Sequence, residues 1–155
     1  MDLKTVHHFF QALDQKIQEL GIETTYVEGI RSPQIGDTLR ILLPITEEGH
    51  PVVTEVMVTE LADDLDLLHI YSTLIFKFNE NAAELIGKLS EWNLLCPLGA
   101  YGIYEEEGQL FHKYTLPFPR EMDASSLAEE AMLLLELIFE VLSNHYSAFG
   151  VYAAD

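Results

Sequence analysis

Six histidines, one cysteine and two carboxylate clusters are the groups in this 155-residue chain that could hold a metal, move a proton or attack a substrate. His7 and His8 are adjacent in a helical stretch, so their side chains diverge by about a hundred degrees and do not readily share an ion. Gln11 and Ala12, one turn on, offer no further ligand, and both histidines read as solvated or rim residues. His50 precedes Pro51 in a turn. His69 alternates with Leu67 and Tyr71 on the second face of a strand. His112 shares a strand face with Leu110, Tyr114 and Leu116, which reads as a satisfied, half-buried histidine. His145 falls in the last turn of a helix, where a cation complements the dipole. Cys96, between Leu95 and Pro97, reads as a small buried hydrophobe with no local basic group to lower its pKa. Asp63-Asp64-x-Asp66 lacks the spacing, glycine and terminal Glu of a calcium loop. It and Glu105-Glu106-Glu107 read as solvated turns. No Gly-x-Ser-x-Gly elbow is present, and Gly99-Ala100-Tyr101-Gly102 opens a strand, not the helix that a phosphate loop needs. The expectation is therefore no catalytic residue, no metal ligand, no cofactor and no enzyme. A hydrolase or metalloenzyme, the alternative of another class, would need a cleft that gathers dispersed groups such as His69 and His112 with a carboxylate.

Charge narrows the partners. The chain has 26 Asp+Glu against 8 Lys+Arg, a net of −18, shared by both halves. Nucleic-acid affinity rests on Lys and Arg neutralising phosphates, and the eight here are scattered, so no nucleic-acid partner is expected. Without a polybasic patch, neither is an anionic membrane surface. The excess acid favours solubility and suits a basic partner. The N-terminal residues lack a basic segment followed by a long apolar one, and no apolar run approaches the ~18 residues of a membrane span. A cytoplasmic protein is expected. One cysteine excludes a disulfide framework.

Hydrophobic periodicity then gives the elements that position these groups. Residues 3–20 repeat Val6, Phe9, Phe10, Leu13, Ile17 and Leu20 at three and four, a one-faced helix stopped by Gly21. From 22 to 78 the period is two. Strands are expected at 22–28, 38–45, 52–61 and 67–78, with turns at 29–37, at Glu47–Pro51 and at Asp63-Asp64. In the fourth strand Leu68, Ile70, Leu74, Phe76 and Phe78 share one face, with Leu67, Tyr71 and Ile75 on the other. Asn81-Ala82-Ala83-Glu84 has the form of a capping box for a second helix, whose inner face carries Leu85, Ile86, Leu89 and Trp92 or Asn93; Trp92 reads as core. A hairpin follows, 99–104 and 109–116, ended by Pro117 and Pro119. The last helix is capped by Asp123 or Ser126 and runs to about Tyr146. The order is α-β-β-β-β-α-β-β-α: one α+β domain over 1–155, with a single, largely antiparallel sheet and flanking helices.

This order resembles the type III secretion chaperone-like fold, and within it the YbjN-like branch. The match is carried by Leu89-Ser90-Glu91-Trp92-Asn93, the strand Gly99–Tyr104, the acidic turn ending in Gly108, the strand Leu110–Pro117 and the long final helix. The resemblance implies a compact domain, often dimeric, without known chemistry. Secretion chaperones of this fold hold a partner's extended segment on apolar patches, and YbjN-like proteins have been linked to stress and motility regulation.

One feature of the last helix bears on function. Leu127, Ala131, Leu134, Leu135, Ile138 and Leu142 form one apolar stripe, and Leu133, Leu137 and Val141 a second. A helix on a sheet needs only the first. With Leu67, Tyr71 and Ile75 from the fourth strand, the second stripe is the expected partner or dimer surface. The expected function is a non-enzymatic, chaperone-like binding module: an acidic homodimer holding a partner's apolar segment. A stress-response or regulatory factor acting through one defined protein partner is the alternative.

Overall fold

The computed structural model describes residues 1–29, 36–45 and 52–154, and the expected turn at Glu47–Pro51, with His50, lies outside them. Helix α1 (Leu3–Glu19) begins where the Asp2 carboxylate accepts a bond from the Thr5 amide at 2.7 Å. It ends at Gly21, whose φ of 75° a residue with a Cβ rarely adopts. Phe9, Phe10, Leu13 and Ile17 are buried along one stripe, as the spacing predicts. Strands β1 (Thr24–Val27), β2 (Thr38–Leu43), β3 (Val52–Glu60) and β4 (Leu65–Ile75) then pair antiparallel, each with its predecessor. Helix α2 (Ala82–Leu95) carries the chain to the hairpin of β5 (Ala100–Tyr104) and β6 (Gln109–Pro119), and β6 pairs with β4. The sheet order is β1-β2-β3-β4-β6-β5. Helix α3 (Ala124–Phe149) and a 3-10 turn at Gly150–Tyr152 follow. This is the α+β arrangement expected from the sequence.

The helices and one sheet face share one core. Leu39, Ile41 and Leu43 of β2, Val52 and Val56 of β3, Leu68 and Ile70 of β4 and Leu110 of β6 pack with the α1 stripe, Leu85 of α2 and the first stripe of α3. The other sheet face carries Leu42, Val53, Met57, Leu67, Tyr71 and Phe111, all half-buried, with no helix over them among the described residues.

Several local expectations are corrected. Leu74 is an extra residue in β4: Thr73 pairs with Phe111 but Ile75 with Leu110. This bulge flips the alternation, so Ile75 is buried at 2% exposure and Phe76 is the exposed residue. Asn81 makes no side-chain cap bond, so the expected capping box at α2 is not formed. The last helix is capped by Asp123, which accepts from the Ser126 amide at 3.0 Å, and Ser126 lies inside it. It continues to Phe149, so His145 is not in its last turn. Strand β6 runs through Pro117 to Pro119. Beyond Lys113 it has no β5 partner, so a missing N–H costs no ladder bond on that side. Asp66 is no solvated turn residue. It is 1% exposed and paired with Arg120, whose Nη2 and Nε lie 3.0 and 3.2 Å from Oδ1. The Met1 amino nitrogen meets its other oxygen.

Candidate binding surfaces

Helix α3 explains the first surface. Leu134, Leu135, Ile138 and Leu142 face the core, and Leu133 and Leu137, one turn apart, project from the flank at 52% and 47% exposure. They open onto an apolar groove of about 480 Å³ between the end of α1, the end of β2 and the middle of α3. Its walls include Leu20 from α1, Leu43 and Pro44 at the end of β2, and Met132, Leu133 and Leu137. Glu136 and Glu140 are its charged lining residues.

The six residues expected to form one partner or dimer surface do not come together. Leu133 and Leu137 share the groove. Val141, a turn further on α3, is 9% exposed and lies outside the lining. Leu67 and Tyr71 are on the uncovered face of the sheet, and Ile75 is in the core. The flat alternation assumed for β4 put Ile75 on the wrong face.

The uncovered face holds an aromatic row that the sequence reading missed. Tyr71 of β4 stacks on Phe111 of β6 with centroids 4.9 Å apart and planes at 23°. Tyr104 of β5 lies over the same ring at 4.7 Å and 33°. The rings meet because both pairs are diagonal: Tyr71 is opposite Lys113, and Tyr104 is opposite Gln109, two positions either side of Phe111. Gly102, directly opposite Phe111, leaves room for the ring; a Cβ there would lie 2.3 Å from Phe111 Cζ. The signal was available as Tyr104 and Phe111 on the two arms of one hairpin. Burial, and then the Tyr104 hydroxyl beside it, hold the Tyr71 phenol above its usual range. At the other end of the face, Arg40 and Glu55, opposite each other, pair at 2.9 Å.

A polar cluster sits inside the end of α2. His112 is fully buried, and its Nε2 donates to the Leu98 carbonyl at 2.7 Å. The Cys96 thiol donates to the same carbonyl at 3.2 Å and lies 3.7 Å from Nε2. A basic group is therefore beside Cys96 after all, contributed by β6, which local sequence could not show. Both protons are committed to one oxygen, an arrangement that locks the α2–β5 connection and leaves His112 no lone pair toward the sulfur. Nδ1 of His112 is buried without a partner among the described residues, so this histidine is not the satisfied one expected. Burial holds its pKa below the usual histidine value, and His145 adds to that, against the bond to Leu98. His145 Nδ1 meets the Tyr101 hydroxyl at 2.8 Å, and burial raises the Tyr101 phenol. Gly99, φ 73°, passes so near that a Cβ would fall 2.7 Å from His112 Nε2. Trp92, half-buried, packs on Tyr101, Phe149 and Tyr152.

His69 is on the opposite face, with Nε2 2.7 Å from Thr59 Oγ1 and Nδ1 3.2 Å from Thr115 Oγ1. Burial, then Lys113, lower its pKa. The sheet separates His69 from His112, so the cleft that the hydrolase alternative required of that pair does not form.

The fold and these surfaces define an α+β domain with one antiparallel sheet, helices on one face and two apolar tracts left open. No protein-family model matches the chain, and no curated protein matches it. Among solved structures it is similar to the crystal structure of YbjN, a candidate transcription regulator from E. coli. The identity is 16%, the match covers 90% of this chain and 92% of that one, and the TM-score is 0.46. The likeness says nothing of activity or partner. No helix among the described residues is long and apolar enough to cross a membrane.

Proposed function

We propose that this chain is a non-enzymatic protein-binding module of the cytoplasm, chaperone-like in holding a partner's apolar segment. The observation that carries the reading is the groove: Leu133 and Leu137, half-exposed and one turn apart, beside Leu20 and Pro44, in a molecule of net charge −18. Fully burying a leucine stabilises by about 1.5–3 kcal/mol, so covering the exposed half of each contributes about 1 kcal/mol. With Leu20 and Met132 the sum is several kcal/mol, of the size that association itself costs. The apolar contacts alone therefore leave binding weak, and electrostatic complementarity adds to them. Glu136 and Glu140 supply that complementarity to a segment whose apolar stripe is flanked by Lys or Arg, and oppose an acidic one. The segment that fits is an amphipathic helix laying its stripe against Leu133 and Leu137.

A homodimer belongs to the same proposal. Leu42, Val53 and Met57 flank the Arg40–Glu55 pair on the uncovered sheet face, with Leu67 further along it, a tract where charge cancels locally and a second copy meets little like-charge repulsion. Sedimentation equilibrium from 1 to 100 µM tests it, and a 17.6 kDa species throughout rejects it.

The groove is tested by fluorescence polarisation with two labelled 18-residue amphipathic helices of identical leucine stripe, one flanked by Lys and one by Glu. The Lys peptide is expected to bind and the Glu peptide not, and Leu133→Asp to abolish binding. Equal binding of both peptides, or full binding by the variant, rejects the proposal.

A further inference from the structure

We infer that the aromatic row on the uncovered sheet face is a second, separate site, which receives cationic side chains, arginine above all, of a basic peptide segment. Three observations converge on it. Tyr71, Phe111 and Tyr104 form a continuous platform across β4, β6 and β5, and Tyr104 at its end is 48% exposed. Tyr71 and Tyr104 both lie over Phe111, so the ring left open to a ligand is Tyr104 at the end of the row, and a guanidinium stacks on such a ring by electrostatics and by planarity. The backbone is shaped to hold the platform: Gly102 lies beneath Phe111, where any Cβ would displace the ring.

Charge complementarity chooses the occupant. At the Tyr71 end, Glu55 on one neighbouring strand is already paired with Arg40, and Lys113 stands on the other, so that end carries no excess of acid. At the Tyr104 end the chain runs directly into Glu105, Glu106 and Glu107, all exposed, in the turn that joins β5 to β6. The open ring therefore lies at the acidic end. A nucleobase also stacks on aromatic side chains, but the phosphates that accompany it meet three carboxylates there instead of the Lys and Arg they need. A guanidinium meets a π face and nearby carboxylates together. The platform lies across the sheet from the α1–α3 groove, so those two sites are occupied independently; it borders the proposed dimer tract at Tyr71, opposite Glu55, and its open ring, Tyr104 on β5, is at the end away from that tract.

The test is calorimetric titration, with proton NMR of the aromatic rings, of the full chain with three capped octapeptides alternating glycine with arginine, lysine or glutamate. The arginine peptide is expected to bind and to shift the Tyr104 and Phe111 ring resonances. The lysine peptide should bind less tightly, and the glutamate peptide should not bind. Tyr104→Ser, a change at an exposed ring, is expected to weaken the arginine peptide about two- to fivefold. Replacing Glu105, Glu106 and Glu107 with Gln should weaken the arginine and lysine peptides alike. The inference is overturned if Tyr104→Ser binds the arginine peptide as the wild type does, or if the ring resonances do not move. It is equally overturned if an octathymidine oligonucleotide shifts them in place of the peptide, or if Tyr104→Ser shifts a monomer–dimer equilibrium, which would make the platform a contact between copies.

Discussion

Lowering the pH from 7.5 to 5.5 should weaken the fold through His112, well before any carboxylate is protonated. The ring is fully buried, its Nε2 proton is given to the Leu98 carbonyl, and Nδ1 has no donor or acceptor within reach among the described residues. Protonating Nδ1 would place a second N–H where nothing accepts it, so the folded pKa lies below the ordinary 6.5. The unfolded chain takes up the proton first as pH falls. Stability is therefore complete above 6.5 and declines below it, until the folded pKa is reached. One proton of difference is worth at most about 1.4 kcal/mol per pH unit, which is the ceiling on the loss from His112 a unit below 6.5. Asp2 and Asp123, held down chiefly by bonds from Thr5 and Ser126, and Glu84, held down by Lys88, act in the other window. Their contributions are present above about pH 4.5 and are lost only below it. Urea unfolding followed by the fluorescence of Trp92, the one tryptophan, gives the free energy at each pH. His112→Phe, which keeps a ring of similar size, is expected to be less stable at pH 7.5 for want of the Leu98 bond, and to show a shallower slope between 7.5 and 5.5, the remainder coming from His69, whose pKa burial also lowers. A wild-type chain with no slope in that window refutes the reasoning, as does a variant with the wild-type slope.

Leu133→Ala should change stability by less than about 1.5 kcal/mol, because half of that side chain is already in water, whereas Leu135→Ala in the core should cost about 2–5 kcal/mol in the same urea assay. Asp66→Ala should cost about 1.5–3 kcal/mol, since it removes a buried carboxylate bonded to Arg120, whose guanidinium keeps the Ala62 carbonyl and its partial exposure; a loss under about 1 kcal/mol by thermal or urea unfolding speaks against that ion pair. Asp123→Ala should lose about 1 kcal/mol with the cap of α3, and Asn81→Ala close to nothing, because no cap bond exists there to lose. Equal losses at the two caps in parallel melts would contradict the geometry.

Where a residue's partners are close in sequence, its place could be read from the chain. The α1 stripe, Gly21 and the alternation of β2 follow from local period and turn chemistry, and each falls where the spacing puts it. The α+β order also followed, because period two gives way to period 3.6 along the chain. The larger misses share a cause, which is contact between residues far apart in the chain. The bulge at Leu74 is set by how β4 meets β6, so no feature within 67–78 announces that Ile75 turns inward. Asp66 looked like a turn carboxylate because Arg120, its partner, is 54 residues away. Cys96 looked isolated because His112 arrives on another strand. For the candidate surface, the second stripe of α3 was legible as a surplus, and two of its three members are indeed open. Its neighbours Leu20 and Pro44 come from two other elements, and the aromatic row depends on diagonal register across three strands.

The most direct test of the groove is methyl NMR on the intact chain, with labelled leucine and methionine methyls titrated by the Lys-flanked amphipathic helix. Saturable shifts at Leu20, Met132, Leu133 and Leu137, with Leu68 and Leu110 on the far side of the core unmoved, are the expected result. Shifts spread evenly over the core, or none at millimolar peptide, would contradict the assignment of this groove as the place where a partner is held.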